Sequence, residues 1–366
     1  MGNIKIAFVG DIAFFSKLTQ ETINSFNVKE YEDLLKSDIC MGNFEFPFSN
    51  LREKYFMTSY EDYISPLSSL EILRKFKFTA LSLANNHILD WGVEGINTTQ
   101  SMLSDLNIKT FGAGTNESNS RKPLILTVKS IKLGFLSYCK KGEYSSRGDS
   151  PGSAQIVKEN ILNDIEQLRR KVDHIFIILH WGVEFSDYPY PDDIILAHDI
   201  INAGASCIIG HHPHVVQGLE IYNGKPIFYS LGSFIYNPLY ERNNDNKKIE
   251  ERLQSIAIII QVDHEQLLNW EIIPFKNEKN TLFPIKITKN ELSTYSNHFE
   301  LISKRIGNAG EWFYKNALSN IFPREIKTIM KLSRETKGIF FLKFIKNIKL
   351  RHFKMLFGHL FYRVFK

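Results

Sequence analysis

Cysteine is scarce. Cys40, Cys139 and Cys207 are the only three in 366 residues. Their number is odd, they are scattered, and each sits in or beside an apolar run. That excludes a disulfide framework and predicts reduced, buried thiols. Long apolar runs are also missing, and no stretch is long enough to span a bilayer. The N-terminus passes from Met1-Gly2-Asn3 straight into the apolar run 4–9. This run is too short for a signal peptide and lacks the basic start and the cleavage site. The expected location is cytoplasmic, free or peripheral on the cytoplasmic face of the membrane. Internal repeats and low-complexity segments are absent, which argues against a repeat architecture.

What remains is ordinary soluble composition, 43% hydrophobic and 23% charged. The length suits one large domain with an appendage, or two domains. The net charge of +5 conceals an asymmetry: residues 323–366 carry 12 Lys/Arg against 2 Asp/Glu, leaving 33 against 38 in residues 1–322. A mildly acidic body thus precedes a strongly basic tail, and such a tail attracts an anionic partner such as lipid headgroups or nucleic acid.

One event recurs along the body. A short apolar strand ends, often at glycine, and side chains able to hold a metal follow at once. The run 4–9 leads to Gly10-Asp11, and 37–41 to Gly42-Asn43-Phe44-Glu45. The run 78–84 leads to Asn85-Asn86-His87, with Asp90-Trp91-Gly92 beyond, and 173–179 to His180-Trp181-Gly182-Val183-Glu184. The run 206–209 leads to Gly210-His211-His212-Pro213-His214. Buried parallel strands read as continuous apolar runs, and in open α/β sheets sites form at their carboxyl ends. Three imidazoles in four residues are a poor way to pack a strand end and a good way to bind a borderline metal. Oxygen and nitrogen donors without thiolate suit Mn, Fe or Zn, and two ions can share a carboxylate. Taken singly, Asp11 or Glu45 reads as a turn residue or cap. His174, His198, His264 and His298 lack this placement and read as structural or surface residues.

Between these strands, Ser65-Pro66 predicts a helix start, with an apolar stripe at Leu67, Leu70, Leu73 and Phe76. Helices are also predicted over 93–106, 156–172 and 191–204. Strands 124–128 and 132–138 should be antiparallel, and 255–262 with 267–274 should form a hairpin. Residues 140–153, rich in Gly and Ser, predict a mobile loop near the site. Residues 241–252 read as a charged, flexible excursion. Trp181, Tyr188 and Tyr190 either wall a pocket or pack in the core.

In order, these motifs, together with Tyr229-Ser230-Leu231-Gly232, resemble those of the CapA family over roughly residues 4–275. These are the poly-γ-glutamate capsule-synthesis proteins, a branch of the calcineurin-like metallophosphoesterase superfamily. The resemblance implies an α/β fold, a four-layer α/β/β/α sandwich over residues 1–290, followed by a helical, basic, aromatic-rich extension over 291–366. It implies one or two divalent metal ions. Asp11 and His214 would hold the first, Glu45 would bridge, and Asn86, His180 and His212 would hold the second. His87 falls where the superfamily keeps the histidine that protonates the leaving group, and Asp11 and Glu45 would share in catalysis through the metal. Asn85, Glu184, His211 and Ser233 would lie at the substrate. Two positions depart from the pattern. The superfamily's histidine two residues after its first aspartate is Ala13 here, a loss that CapA relatives share, so the first metal is short of a ligand. The asparagine-phenylalanine that follows the Ser-Leu-Gly turn in the family is Ser233-Phe234.

The implied activity is metal-dependent hydrolysis at phosphorus or an acyl carbon, serving synthesis, trimming or release of an anionic surface polymer, poly-γ-glutamate or polysaccharide. The alternative is a polymer-binding or export-complex subunit whose metal cluster is structural. A nucleic-acid enzyme would rest on the basic tail alone, and no recognition motif accompanies it.

The tail, 338–366, supplies one more expectation. On a helix, Phe341, Phe344, Ile345, Ile348, His352 and Met355 share a side, with Lys343, Lys346, Asn347 and Lys354 largely elsewhere. Such a helix lies in an anionic headgroup layer, each basic residue adding about 1 kcal/mol, or it packs on protein. Liposome co-sedimentation of the intact chain beside one ending near Ser333 decides. The membrane reading expects the intact chain alone to sediment with anionic vesicles at low salt. Equal sedimentation of the two, or none, leaves the packing reading.

Overall fold

The computed structural model describes residues 2–14, 18–50, 63–235, 254–277 and 282–316. The basic tail 338–366 and the excursion 241–252 lie outside the described residues. Strands in chain order are β1 (Ile4–Ile12), β2 (Ile39–Phe44), β3 (Ala80–Ser82), β4 (Lys109–Phe111), β5 (Ala113–Gly114), β6 (Leu124–Val128), β7 (Ile131–Cys139) and β8 (Gly152–Ser153). They continue with β9 (His174–His180), β10 (Cys207–His211), β11 (Leu219–Tyr222), β12 (Lys225–Phe228), β13 (Ser233–Ile235), β14 (Gln254–Val262), β15 (Leu267–Lys276) and β16 (Ile285–Lys286). The helices are α1 (Gln20–Ser25), α2 (Glu32–Leu35), α3 (Ser69–Phe76), α4 (Gly92–Asp105), α5 (Glu117–Ser120), α6 (Lys158–Leu168), α7 (Pro191–Asn202), α8 (Lys289–Lys304) and α9 (Ala309–Asn316).

Among the described residues the first sheet runs β16-β15-β14-β1-β2-β3-β4, with β13 also paired to β1. The second runs β11-β12-β10-β9-β7-β6. The centre of each is parallel: β1 to β4 in the first, and β7, β9, β10 and β12 in the second. The predicted antiparallel pairs, β6 with β7 and β14 with β15, are both present.

Strand alternation builds the layers, because successive side chains point to opposite faces. Ile4, Ile6 and Phe8 of β1 meet Phe135 of β7, Phe176 and Ile178 of β9 and Ile209 of β10 in a core between the sheets. Phe8 lies 5.7 Å from Phe176, and Phe135 stacks on Phe176 at 5.4 Å. Ala7 and Val9 point the other way, to Ile72, Leu73 and Phe76 of α3 and Ile96 and Leu103 of α4. On the far side, Ile175, Ile177 and Leu179 meet Ile161, Ile165 and Leu168 of α6 and Ala197, Ile200 and Ile201 of α7. The result is the four-layer α/β/β/α sandwich. All three cysteines are buried and free, and burial pushes the Cys40 thiol up to about 12.

Some local expectations change. The helix predicted from Ser65-Pro66 begins at Ser69, since residues 66–70 first make two turns, Ser69 N to Pro66 O and Leu70 N to Leu67 O. Its buried face is Ser69, Ile72, Leu73 and Phe76, while Leu67 is exposed. The Gly/Ser-rich segment 140–153 is pinned to the body. Ser145, Ser146 and Ser153 are buried, Ser146 Oγ meets Ser120 Oγ at 2.6 Å, and β8 pairs with β5. Its serines are hydrogen-bonding struts, which composition alone reads as flexibility.

The helices α8 and α9 pack on the body. Thr288 and Glu291 form a capping box at the start of α8. Tyr295 reaches the inter-sheet core, Ser303 Oγ accepts from Leu219 N, and Arg305 donates to Tyr188 Oη at 2.7 Å and stacks on Trp312. No described helix is long and apolar enough to cross a membrane.

Two glycines allow the strand ends to close together. A Cβ on Gly10 would lie 2.1 Å from Gly232 O, and one on Gly210 1.9 Å from Tyr229 O. Both obstacles are backbone and cannot swing away. Gly10→Ala and Gly210→Ala should each cost about 2–4 kcal/mol in denaturant unfolding. Gly307→Ala, with open space around it, should stay within about 0.5 kcal/mol. Matching stabilities for all three would contradict this packing.

Candidate metal centre

The parallel strands of both sheets deliver their last residues to one place. β1 brings Asp11, where the register with β2 and with β13 shifts. Such a bulge re-aims a side chain. β2 brings Asn43 and, just beyond its end, Glu45; their two-residue separation puts both on one side. β9 ends at His180, and β10 at His211, in register with His180. The loop beyond β10 is strained: His212 and His214, flanking Pro213, have φ of 95° and 57°. Non-glycine residues adopt such angles at a cost that surrounding structure must sustain.

Asp11 is fully buried. Its Oδ1 accepts from Asn43 Nδ2 at 2.8 Å and lies 3.1 Å from His211 Nδ1. Its Oδ2 accepts from the His212 amide at 3.1 Å and lies 3.2 Å from His214 Nδ1. Glu45 is equally buried, and neither carboxylate oxygen has a hydrogen-bond partner. Its Oε1 faces His214 Nε2 at 3.4 Å, and His87 Nε2 and His180 Nε2 at 4.0 Å each. Asp11, Glu45 and His214 each present a donor atom within 4.8 Å of the others. Next to them, Asn86 Oδ1 accepts from His180 Nε2 at 2.8 Å, and the His180 and His212 rings are 4.7 Å apart. The tautomer of His180 follows from that bond, with Nδ1 left to accept from Asn43 Nδ2 at 3.3 Å.

The electrostatics call for positive charge. Burial favours a neutral Asp11, yet His211 and His214 outweigh it and hold the carboxyl well below its usual range. Burial opposes an imidazolium at His214, but Glu45 and Asp11 push its pKa well above the ordinary value. His180 is driven well below by burial and by His212, and His212 falls to about 4, chiefly through burial. Two neutral imidazoles therefore flank a carboxylate pair that keeps a cation. Burying a carboxylate such as Glu45 with no donor is expensive. A divalent cation, oxygen- and nitrogen-ligated, satisfies it, and this donor set suits one.

The remaining predicted residues separate. His87, a sixth exposed, is braced at Nδ1 by Asp90 Oδ2 at 2.8 Å and edge-on to Phe46 and Tyr63. Burial opposes its charged form, but Asp90, with Glu45 and Glu184, prevails and raises its pKa. Glu184 is exposed at the mouth. Asn85, expected at the substrate, is fully buried, donates to Phe44 O and accepts the His87 amide. It shapes the loop that carries His87. His211 and Ser233, also expected at the substrate, are buried against Asp11 and His214. Ala13 packs on Phe46 and Tyr63 and offers no ligand. Trp181 stacks on Tyr229 in the outer core, and Tyr188 and Tyr190 pack on Trp312 and Phe313 of α9. The bracing roles of Asn43 and Asp90 were not singled out from sequence, although the spacing of Asn43 from Glu45 could have signalled one.

The sandwich and its strand-end cluster define an α/β protein with a buried carboxylate–imidazole centre, in which Asp11, Glu45 and His214 present donor atoms close enough together to share a metal ion. Residues 5–238 match the family model described as bacterial capsule synthesis protein PGA_cap, and the chain belongs to that family. The PGA biosynthesis protein CapA of Bacillus subtilis is 30% identical over 260 residues, 69% of this chain and 68% of that one. The capsule biosynthesis protein CapA of Bacillus anthracis is 29% identical over 268 residues, 69% of this chain and 64% of that one. This chain thus spans just under two thirds of the second relative's length. Among solved structures, a phosphatase from Mycoplasma pneumoniae aligns over 81% of this chain and 99% of its own, at 13% identity and a TM-score of 0.49.

Elemental analysis tests the ligand set. Protein purified with Mn, Fe or Zn present should carry metal, and His180→Ala with His212→Ala should lose most of it. Chelation should also lower the thermal midpoint, since a ligand at about 100-fold its Kd contributes about 2.7 kcal/mol. Unchanged metal content in the double variant would refute the assignment.

Proposed function

We propose that the protein is a metal-dependent hydrolase acting in synthesis, trimming or release of an anionic capsule or surface polymer, poly-γ-glutamate or polysaccharide. The observation that carries this reading is Glu45, whose two buried oxygens lack any hydrogen-bond partner while facing Asp11 and His214. Asp11, Glu45 and His214 would hold one ion, and Glu45, Asn86, His180 and His212 a second. An ion held there supplies Lewis acidity and lowers the pKa of water toward neutrality. His87 would donate a proton to the departing oxygen or nitrogen from Nε2, the nitrogen that accepts from Asn86 Nδ2 at 3.0 Å in this structure, because Asp90 occupies Nδ1 and favours the charged ring. Asn85 keeps that ring aimed through the His87 amide. Membership of a capsule-synthesis family supports the polymer as substrate. The basic tail would place the protein on the cytoplasmic face of the membrane, beside the machinery that makes or exports the polymer.

One observation favours a second reading. Ala13 leaves the Asp11 side with three protein donors among the described residues. A centre so depleted also suits a polymer-binding or export-complex subunit whose metal is structural.

A screen of phosphodiesters and γ-glutamyl amides against metal-loaded protein separates the two. Hydrolysis of either class supports the enzyme, and polymer binding without turnover supports the subunit. For the enzyme, His87→Ala should keep its metal and lose about 10²–10⁴ in turnover. Loss of metal would make His87 a ligand, and full activity a bystander.

A further inference from the structure

The histidine loop beyond β10 is laced to the turn that follows β9, residues 181–186. Trp181 N donates to His211 O at 3.1 Å, Phe185 N to Pro213 O at 2.7 Å, and Gln217 Nε2 to Ser186 O at 2.9 Å. Within this turn Gly182 lies against Pro213. A Cβ there would come 3.2 Å from the proline Cγ, and its φ is 78°. Pro213 separates His212 from His214, whose own φ values are 95° and 57°. Backbone at such angles relaxes unless its neighbours resist, so the fixity of Gly182 is a condition for the geometry of both histidines.

Gly182 is itself gripped at both polar groups. Its O accepts from Lys140 Nζ at 3.4 Å, and its amide donates to the carboxylate of Asp193, the third residue of α7. Asp193 is half-buried, and its Oδ2 is shut off from solvent without a hydrogen-bond partner among the described residues. Burial raises its carboxyl to about 6, although Lys140 and the Gly182 amide pull it down. A carboxylate is welcome in the first turn of a helix, but there it can stay in water, as the neighbouring Asp192 does. The inward turn of Asp193 serves Gly182 instead. We infer that Asp193 is a positioning residue of the metal centre: by holding the Gly182 amide it fixes the turn against Pro213, and with it the placing of His212 and His214. This inference rests on the metal centre proposed above, and it does not require hydrolysis.

The test titrates the metal-free full chain with Co²⁺, followed by visible absorption, which reports ligand geometry as well as affinity. Asp193→Ala should bind Co²⁺ about 10-fold more weakly, the lower end for residues that orient ligands, and should shift the visible band. Asp193→Asn loses the charge but keeps an acceptor for the amide, so it should stay within about threefold of wild type and reproduce its spectrum. Asp199→Ala breaks the Lys158–Asp199 ion pair on the same helix. It should leave Co²⁺ binding unchanged, whatever it does to the thermal midpoint. Unchanged binding in Asp193→Ala would overturn the inference. So would an Asn variant as weak as the Ala variant, since the lost charge alone would then account for both. An equal loss in Asp199→Ala would overturn it too, as an effect of helix stability. If Asp193→Ala does not fold, Asp193→Leu fills the space without an acceptor and repeats the measurement. Failure of both to fold would make Asp193 purely structural and overturn the role. Wild type that takes up no Co²⁺ would remove the metal centre itself, and the inference with it.

Discussion

The structure depends on a buried carboxylate, Glu45, whose charge is met by the His214 ring as an ion pair and by no hydrogen bond. Glu45 is buried, its oxygens are unmatched by any donor, and Asp11 lies across the same small space. Two buried carboxylates repel each other and forgo hydration, and each would cost several kcal/mol left unpaired. The fold supports this arrangement by crowding imidazoles around it and by making the supporting backbone stiff. His212 donates its amide to Asp11 only because the loop adopts a left-handed turn. The bulge in β1 and the close approach permitted by Gly10 belong to the same solution. The sandwich supplies the rigidity, through aromatic contacts such as Phe8 on Phe176, that keeps the strand ends from relaxing apart.

The outline of this design is written locally and so was legible. Apolar runs ending in glycine and a polar donor mark buried parallel strands, and β1, β2, β9 and β10 fall where such runs stop. The alternation that sends Ile6 and Ala7 to different cores is equally local. What escaped is set by partners remote in sequence. No pattern near Ser65 says that the chain makes two turns before α3 begins, or that Leu67 stays in water. The serines of 140–153 read as a flexible string because their partners, Ser120 among them, are supplied by tertiary structure. Asn85, His211 and Ser233 were placed at the substrate by motif position, and their depth of burial beside Asp11, His87 and His214 is likewise set by tertiary structure.

Asn43 shows how the two kinds of information combine. Its place two residues before Glu45 is plain in the sequence and fixes the side of the strand on which it lies. Its use, one amide reaching both Asp11 and His180, depends on the second sheet arriving opposite. A residue that braces ligands from two sheets transmits any shift of one sheet to the other, so the spacing between layers and the spacing between ligands are one variable.

The docking of α8 and α9 carries a further consequence. Gly218, at the far end of the histidine loop, lies against the backbone of Ser303, Gln217 grips Ser186 O, and Arg305 holds Tyr188. These helices therefore buttress the loop from behind. A protease that nicks the chain between β16 and α8 would remove no ligand, yet it would leave the wall behind the strained histidines held by these noncovalent contacts alone. The durability of the centre is thus vested in a segment that contributes none of its chemistry.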